Sequence, residues 1–208
     1  MKKRATFKNA VRLLSFLVVL SGALVIIGWV FNISVLKSIS PAWISMKFDT
    51  AVVFFLSGII LYFILRAQEG AYDSAQVAIF ILSLIISLFM GVLFFSSLFG
   101  VNTGLEDLFI KEARVTAKTI FPGRPSVPTM MNFLLIALAG ILTLINTRNL
   151  RAKLKVIGFL VGLIGLSAIC GYILNTPLLY YYIAGVNSAM AAHTAVLFVL
   201  LGAGLLCL

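Results

Sequence analysis

Charge is what this sequence lacks most. Of 208 residues only 16 are Lys or Arg and 6 are Asp or Glu, 11% in all, where a soluble domain carries about 25%. A water-soluble globule of this size cannot cover its surface with so few charges. Apart from His193, no acid or base occurs between Lys155 and Leu208, and none between Asp73 and Glu106. Histidine occurs once and cysteine twice. Cys170 and Cys207 lie inside apolar runs with no spacing for a metal site or redox pair, so they read as small core or lipid-facing residues. No phosphate-binding loop, nucleophile elbow, zincin motif or Asp-rich metal motif is present. One histidine and no paired carboxylates within a span argue against bis-histidine haem and an intramembrane proton relay. Soluble enzyme, DNA-binding protein and disulfide scaffold are thereby excluded.

What is there is apolar, 62% of the chain, in runs long enough for bilayer-crossing helices of about 20 residues. Six spans are expected near 11–31, 50–66, 74–99, 129–146, 154–174 and 190–208, all helical because a backbone in lipid must satisfy its own hydrogen bonds. The basic start Met1-Lys2-Lys3-Arg4 resembles a signal peptide. Its apolar stretch, Leu13 to Phe31, is too long for one and lacks a cleavage site, so it reads as an anchor. The net charge of +10 reflects orientation rather than nucleic acid, because basic residues flanking membrane helices stay cytoplasmic. Lys2, Lys3, Arg4, Lys8, Arg12, Arg66, Arg148, Arg151, Lys153 and Lys155 fall on one side. Lys37, Lys47, Lys111, Arg114, Lys118 and Arg124 fall on the other, offset by Asp49, Glu106, Asp107 and Glu112. The expected protein is multi-pass in the inner (cytoplasmic) membrane, with both termini cytoplasmic. Its outward segments, 32–49, 100–128 and 175–189, are long and apolar and are expected to fold back as short interfacial helices. Trp29, Trp43, Tyr180, Tyr181 and Tyr182 would then lie at headgroup depth.

The chain repeats itself. Met46-Lys47-Phe48-Asp49-Thr50-Ala51-Val52-Val53-Phe54 opens the second span, and Met190-Ala191-Ala192-His193-Thr194-Ala195-Val196-Leu197-Phe198 opens the sixth. They match at Met, Thr, Ala, Val and Phe. A weaker copy, Pro125 to Phe133, opens the fourth and keeps Thr129 and Phe133. Upstream of each copy sits an asparagine, Asn32, Asn102 or Asn175, separated from the threonine by 18, 27 and 19 residues. The expected fold is a single domain, 1–208, an all-α membrane protein. Its six transmembrane helices form three hairpin repeats (about 11–66, 74–146 and 154–208) in a pseudo-threefold arrangement, with short interfacial helices on the extracytoplasmic side. Thr50, Thr129 and Thr194 read either as caps of the returning helices, helped by Asp49, or as polar helix starts converging on an outward pocket. Small residues along the spans, Gly158 and Gly162 among them, suit close helix packing. His193 reads as an interfacial polar residue or as a ligand contact or pH-sensitive switch. The charges of the middle segment, Glu106 and Asp107 with Lys111, Arg114 and Arg124, read as a solvated short helix or as a lid.

The whole pattern from about Gly28 onward resembles the six-helix membrane sensor regions at the N-termini of bacterial and archaeal histidine kinases and diguanylate cyclases. The resemblance rests on four pieces: Pro41-Ala42-Trp43-Ile44-Ser45-Met46-Lys47-Phe48-Asp49-Thr50-Ala51, Leu98-Phe99-Gly100-Val101-Asn102-Thr103-Gly104-Leu105-Glu106-Asp107-Leu108-Phe109, Pro122-Gly123-Arg124 before Thr129, and Met190 through Ala195. This chain departs from the pattern at Asp49, where asparagine is common, and at Pro128-Thr129-Met130, where Asn-Thr-Ala is common. The resemblance implies a sensory input domain in signal transduction, a homodimer, and a cytoplasmic signalling module following Leu208 in a natural parent, or else a stand-alone relative. Kinase or cyclase activity would lie in that module, so the chain itself is not expected to be an enzyme. The candidate ligand-binding residues are Trp29, Asn32, Trp43, Met46, Asp49, Thr50, Asn102, Thr129, Asn132, Tyr172, Asn175, Met190, His193 and Thr194. No cofactor or metal is expected. A pocket lined by the chain's many aromatics suits a lipid or quinone-like molecule better than a hydrophilic metabolite. The partners expected are the bilayer, a second copy and the signalling module, without nucleic acid. The alternatives are a small membrane transporter or channel, and an assembly scaffold.

Overall fold

The computed structural model describes residues 2–40, 43–110, 123–145, 147–182 and 188–208, without the side chains of 2–4 and 107. Lys111, Glu112, Arg114 and Lys118 lie outside the described residues, so the solvated-helix and lid readings of that segment rest on Glu106 and Arg124 alone. Among the described residues all regular structure is helical: α1 (Lys2–Val30), α2 (Ser34–Lys37), α3 (Phe48–Gln68), α4 (Tyr72–Phe99), α5 (Val127–Leu144), α6 (Leu150–Ile173) and α7 (Ala192–Leu206). Short 3-10 turns at Leu105–Asp107 and Pro177–Tyr180 join α2 as the small helices of the longer connections. Five helices, α1 from Ala5 together with α3, α4, α5 and α6, are long and apolar enough to cross a bilayer. The chain is a multi-pass α-helical membrane protein.

Where the sixth span was expected lies α7, an apolar helix of 15 residues, shorter than the other five and not itself long enough to count among the crossing helices. It buries nine of them, while Val196 and Leu206 remain exposed. At the other extreme, α1 starts at Lys2, well before the expected position 11. Lys and Arg are good helix formers, and the first turns are held by Glu69. Arg12 donates to both Glu69 carboxylate oxygens, at 2.8 and 3.0 Å, and Lys8 lies 3.4 Å from Oε1. Burial opposes the Glu69 charge, but the bonds from Arg12 and Lys8 outweigh it and hold the carboxyl below its ordinary pKa.

The helices pack most extensively as consecutive pairs: α1 along α3, α4 along α5, and α6 along α7. Contacts of α3 with α4, α5 with α6 and α7 with α1 join the pairs, and α3 also touches α5 and α7. The burial pattern follows: α3 and α5 bury half or more of their apolar windows, whereas α1, α4 and α6 bury a third or less. Lipid tails are as apolar as leucine, so close van der Waals approach has to hold the pairs together. Glycine permits it. A Cβ added at Gly22 would stand 2.8 Å from the Ala51 carbonyl oxygen on α3, and one at Gly165 2.6 Å from that of Ala195 on α7. Farther along the same two pairs, Gly58 meets the Ser15 carbonyl at 2.9 Å and Gly202 that of Gly158 at 2.6 Å.

Candidate functional site

The end of the bundle remote from the chain termini is built from three helix starts of one shape. Lys47, Ser126 and Ala191 are the N-cap residues of α3, α5 and α7, with φ/ψ of −67/150, −66/151 and −67/148°, and none makes a side-chain capping bond. Thr50, Thr129 and Thr194 therefore sit in the first turn, three residues past the caps, and are not the caps themselves. All three are 2% exposed. The Thr129 hydroxyl shares a 2.8 Å hydrogen bond with that of Ser126. Asp49 is buried in the first turn of α3, where an anion complements the positive end of the helix.

One turn farther along the same helix faces, Phe54, Phe133 and Phe198 meet. Their ring centroids are 4.8, 4.7 and 5.0 Å apart pairwise, and each ring is fully buried. The interior below the threonines is thus filled with aromatic carbon. Met46 and Met190, which precede two of the helix starts, are also buried.

The open space lies to one side. α1 ends in a left-handed residue, Asn32, with the Ile33 amide donating back to the Gly28 carbonyl at 2.8 Å. Asparagine tolerates that conformation better than other residues with a side chain. The chain then runs through α2 and returns along the end of α1. There the Met46 amide donates to the Lys37 carbonyl at 2.9 Å, and the Trp29 indole donates to the Met46 carbonyl at 2.9 Å. Lys37 stands 4.7 Å above the Trp29 ring and donates to Asn32 Oδ1 at 2.6 Å. Trp29, Val35, Lys37, Ile39, Trp43 and Ser45 wall a cavity of about 400 Å³. Its chemistry is amphipathic: two indoles, aliphatic carbon, a few hydroxyls and one ammonium.

The end of α6 repeats the same moves with a different filling. Asn175 is left-handed, and the Thr176 amide donates to the Gly171 carbonyl at 2.8 Å. Met190 donates to the Tyr180 carbonyl at 3.0 Å, and the Tyr172 hydroxyl donates to the Met190 carbonyl at 2.7 Å. Where Lys37 covers Trp29, Tyr180 stacks on Tyr172 at 4.6 Å and is 2% exposed. Tyr180 is thus packed within the protein rather than presented on its surface, because the bond from the Met190 amide to its carbonyl draws its turn inward. Trp43, from the wall of the cavity, lies 5.1 Å from Tyr172.

The segment between α4 and α5 is anchored by charge. Arg124, 3% exposed, donates to Ser96 Oγ and the Val101 carbonyl at 2.9 Å each and to Asn102 Oδ1 at 3.2 Å, and it pairs with Glu106. Thr103 and Ser96 also donate to that carboxylate, at 3.2 Å each. Burial opposes the Glu106 charge, but Arg124 outweighs it and holds the carboxyl below its ordinary pKa. For this pair the solvated surface reading gives way to a buried clamp.

Of the fourteen candidate residues, Trp29 and Trp43 line the cavity, with Asn32 holding its lysine. Met46, Thr50, Thr129, Met190 and Thr194 are buried around the helix starts, and Tyr172 links Trp43 to Met190. Asn175 and Asn102 lie at the ends of α6 and α4, both exposed. Asn102 is not the counterpart of the other two asparagines: the left-handed residue that ends α4 is Gly100. Asn132 is wholly buried and donates to the Val161 carbonyl at 3.4 Å. His193 is half-buried in the first turn of α7, with Nε2 lacking a hydrogen-bond partner. Sequence reasoning missed Lys37, Tyr180 and the Arg124–Glu106 pair. The phenylalanine cluster was visible as the last residue of each repeated segment. Among the described residues no group of His, Cys, Asp or Glu is placed to hold a metal. Fold and site together define a multi-pass helical membrane protein with an amphipathic cavity at one end. No family model, curated protein or solved structure matches the chain.

Proposed function

We propose that this chain is a membrane-embedded sensory input domain. It takes an apolar or amphipathic ligand in the cavity of Trp29, Lys37 and Trp43 and passes the effect through its last helix to a cytoplasmic output module. In this reading six spans form three hairpins, α1/α3, α4/α5 and α6/α7, around a pseudo-threefold axis, with both termini cytoplasmic and the cavity on the outer face. The packing of the pairs and the three matching helix starts support the repeat. So does the correspondence of Gly22, Gly28, Trp29, Asn32 and Lys37 with Gly165, Gly171, Tyr172, Asn175 and Tyr180, each 143 residues apart. The resemblance to sensor regions of kinases and cyclases supplies the output module and the homodimer.

The observation that carries the ligand reading is that difference between the hairpins. At one position Tyr180 fills the slot against its aromatic partner; at the matching position Lys37 leaves an open cavity. A ring or acyl chain fits against Trp29 and Trp43, with an acceptor oxygen toward the Lys37 ammonium, which suits a quinone-like or fatty molecule. Trp43 touches Tyr172, and Tyr172 bonds to Met190 beside the start of α7, so occupancy has a continuous physical route to the last helix. Such a ligand shifts the packing only by its differential affinity for two arrangements. The buried Phe54–Phe133–Phe198 cluster occupies the axis a small transporter or channel would need, and this weighs against that alternative.

Native mass spectrometry of gently solubilised protein tests the proposal. A co-purifying amphipathic molecule retained by the wild-type chain and lost from Lys37→Gln and Trp43→Ala supports it. A protein that carries nothing, or whose bound molecule is indifferent to both substitutions, contradicts it.

A further inference from the structure

The opposite end of the bundle has a second cavity, of about 390 Å³, where α1 and α6 begin and α3 and α7 end. Its walls are part apolar, through Phe7, Leu65 and Leu206, and part polar, through Gln68 and three basic residues, Lys8, Arg151 and Lys155. Glu69 also lines it, but Arg12 and Lys8 already hold that carboxylate. Arg151 and Lys155 are exposed and one turn apart, so they share a face of α6. The start of α6 at Leu150 has no side-chain cap and adds a positive dipole end.

We propose that this cavity binds the headgroup of an anionic phospholipid. The phosphate lies between Lys8, Arg151 and Lys155, and the acyl chains leave past Phe7, which is 53% exposed, along the lipid-facing side of α1. Basic pockets between helix ends at a membrane surface select such headgroups by charge, and the apolar wall favours a lipid over a free anion. The site bridges the pairs α1/α3 and α6/α7, so a bound lipid ties them together. It shares no residue with the outward cavity, and its failure leaves that reading untouched.

Cys207 lines this cavity and serves as the reporter once Cys170, which is exposed, is replaced in a Cys170→Ser background. Maleimide modification of Cys207 is measured in nanodiscs of phosphatidylcholine with and without phosphatidylglycerol. Phosphatidylglycerol is expected to slow it several-fold. Arg151→Gln and Lys155→Gln are each expected to weaken the lipid's apparent affinity about fivefold. Lys153→Gln, on the same helix with the same charge change but outside the cavity, leaves it unchanged. Native mass spectrometry of the wild-type protein, comparing retention of the two lipids with identical acyl chains, gives an independent readout. Equal labelling rates and equal retention of both lipids overturn the proposal. So does an equal loss in Lys153→Gln, or equal protection by inorganic phosphate.

Discussion

Replacing Phe133 by alanine removes one of three rings that touch only in the middle of the bundle. In a soluble core such a truncation costs about 3–5 kcal/mol, part of it transfer from water and part the cavity left behind. In a bilayer the transfer part shrinks because lipid is as apolar as the interior. The cavity and lost contacts remain, and about 2–3 kcal/mol is expected. The sharper quantity is coupling. With centroids 4.7 to 5.0 Å apart, each ring pair should add about 1 kcal/mol beyond its burial. Single and double alanine variants at Phe54, Phe133 and Phe198, unfolded reversibly in mild detergent, measure it. All three double-mutant cycles should give coupling of similar size. Effects that add within about 0.5 kcal/mol for any pair would mean that the three returning helices do not meet there, and the shared axis would be refuted.

Four further outcomes follow from single positions. Gly202→Ala puts a Cβ 2.6 Å from the Gly158 carbonyl and is expected to lower stability by about 1–3 kcal/mol. Gly91→Ala, with nothing within 4 Å, should gain up to about 1 kcal/mol from helix propensity; the same detergent melts compare them. Glu106→Gln removes the carboxylate charge paired with buried Arg124 and is expected to cost about 3 kcal/mol, the lower end for such pairs because Ser96, Val101 and Asn102 still accept from Arg124. Since the Glu106 pKa lies below its ordinary value of 4.5, the stability the pair contributes is fully present above that value and is lost as pH falls through the folded pKa. Melts at pH 6 and pH 3 should therefore converge in the Gln variant relative to wild type. Tyr172→Phe removes the bond to the Met190 carbonyl and should cost about 1–2 kcal/mol, read as faster hydrogen exchange at the start of α7.

Five membrane-crossing helices were legible because burial in lipid leaves a long apolar run that few other constraints produce. The helix starts were legible because Met, Thr, Ala and Phe recur at fixed spacing around Thr50 and Thr194. What was not legible is side-chain placement that depends on how the longer connecting segments return. Nothing local distinguishes Lys37 over Trp29 from Tyr180 over Tyr172, since each is set by a backbone bond to a residue nine or ten positions later. Asn102 misled for a related reason. Its segment ends α4 on Gly100, two residues earlier, and the asparagine is recruited by Arg124 instead. A basic residue in a connecting segment reads as solvated until its carboxylate partner, 18 residues away, is seen buried beside it.

The chain's two tryptophans, Trp29 and Trp43, both line the cavity beside Lys37, so tryptophan emission, excited selectively over that of the tyrosines, reports on that site alone. Titration with a short-chain quinone and with a medium-chain fatty acid is the direct measurement. Saturable quenching or a saturable blue shift by at least one of them, weakened in Lys37→Gln, is the predicted result. Emission that never saturates with either, or that responds identically in Lys37→Gln, would contradict ligand capture by this cavity.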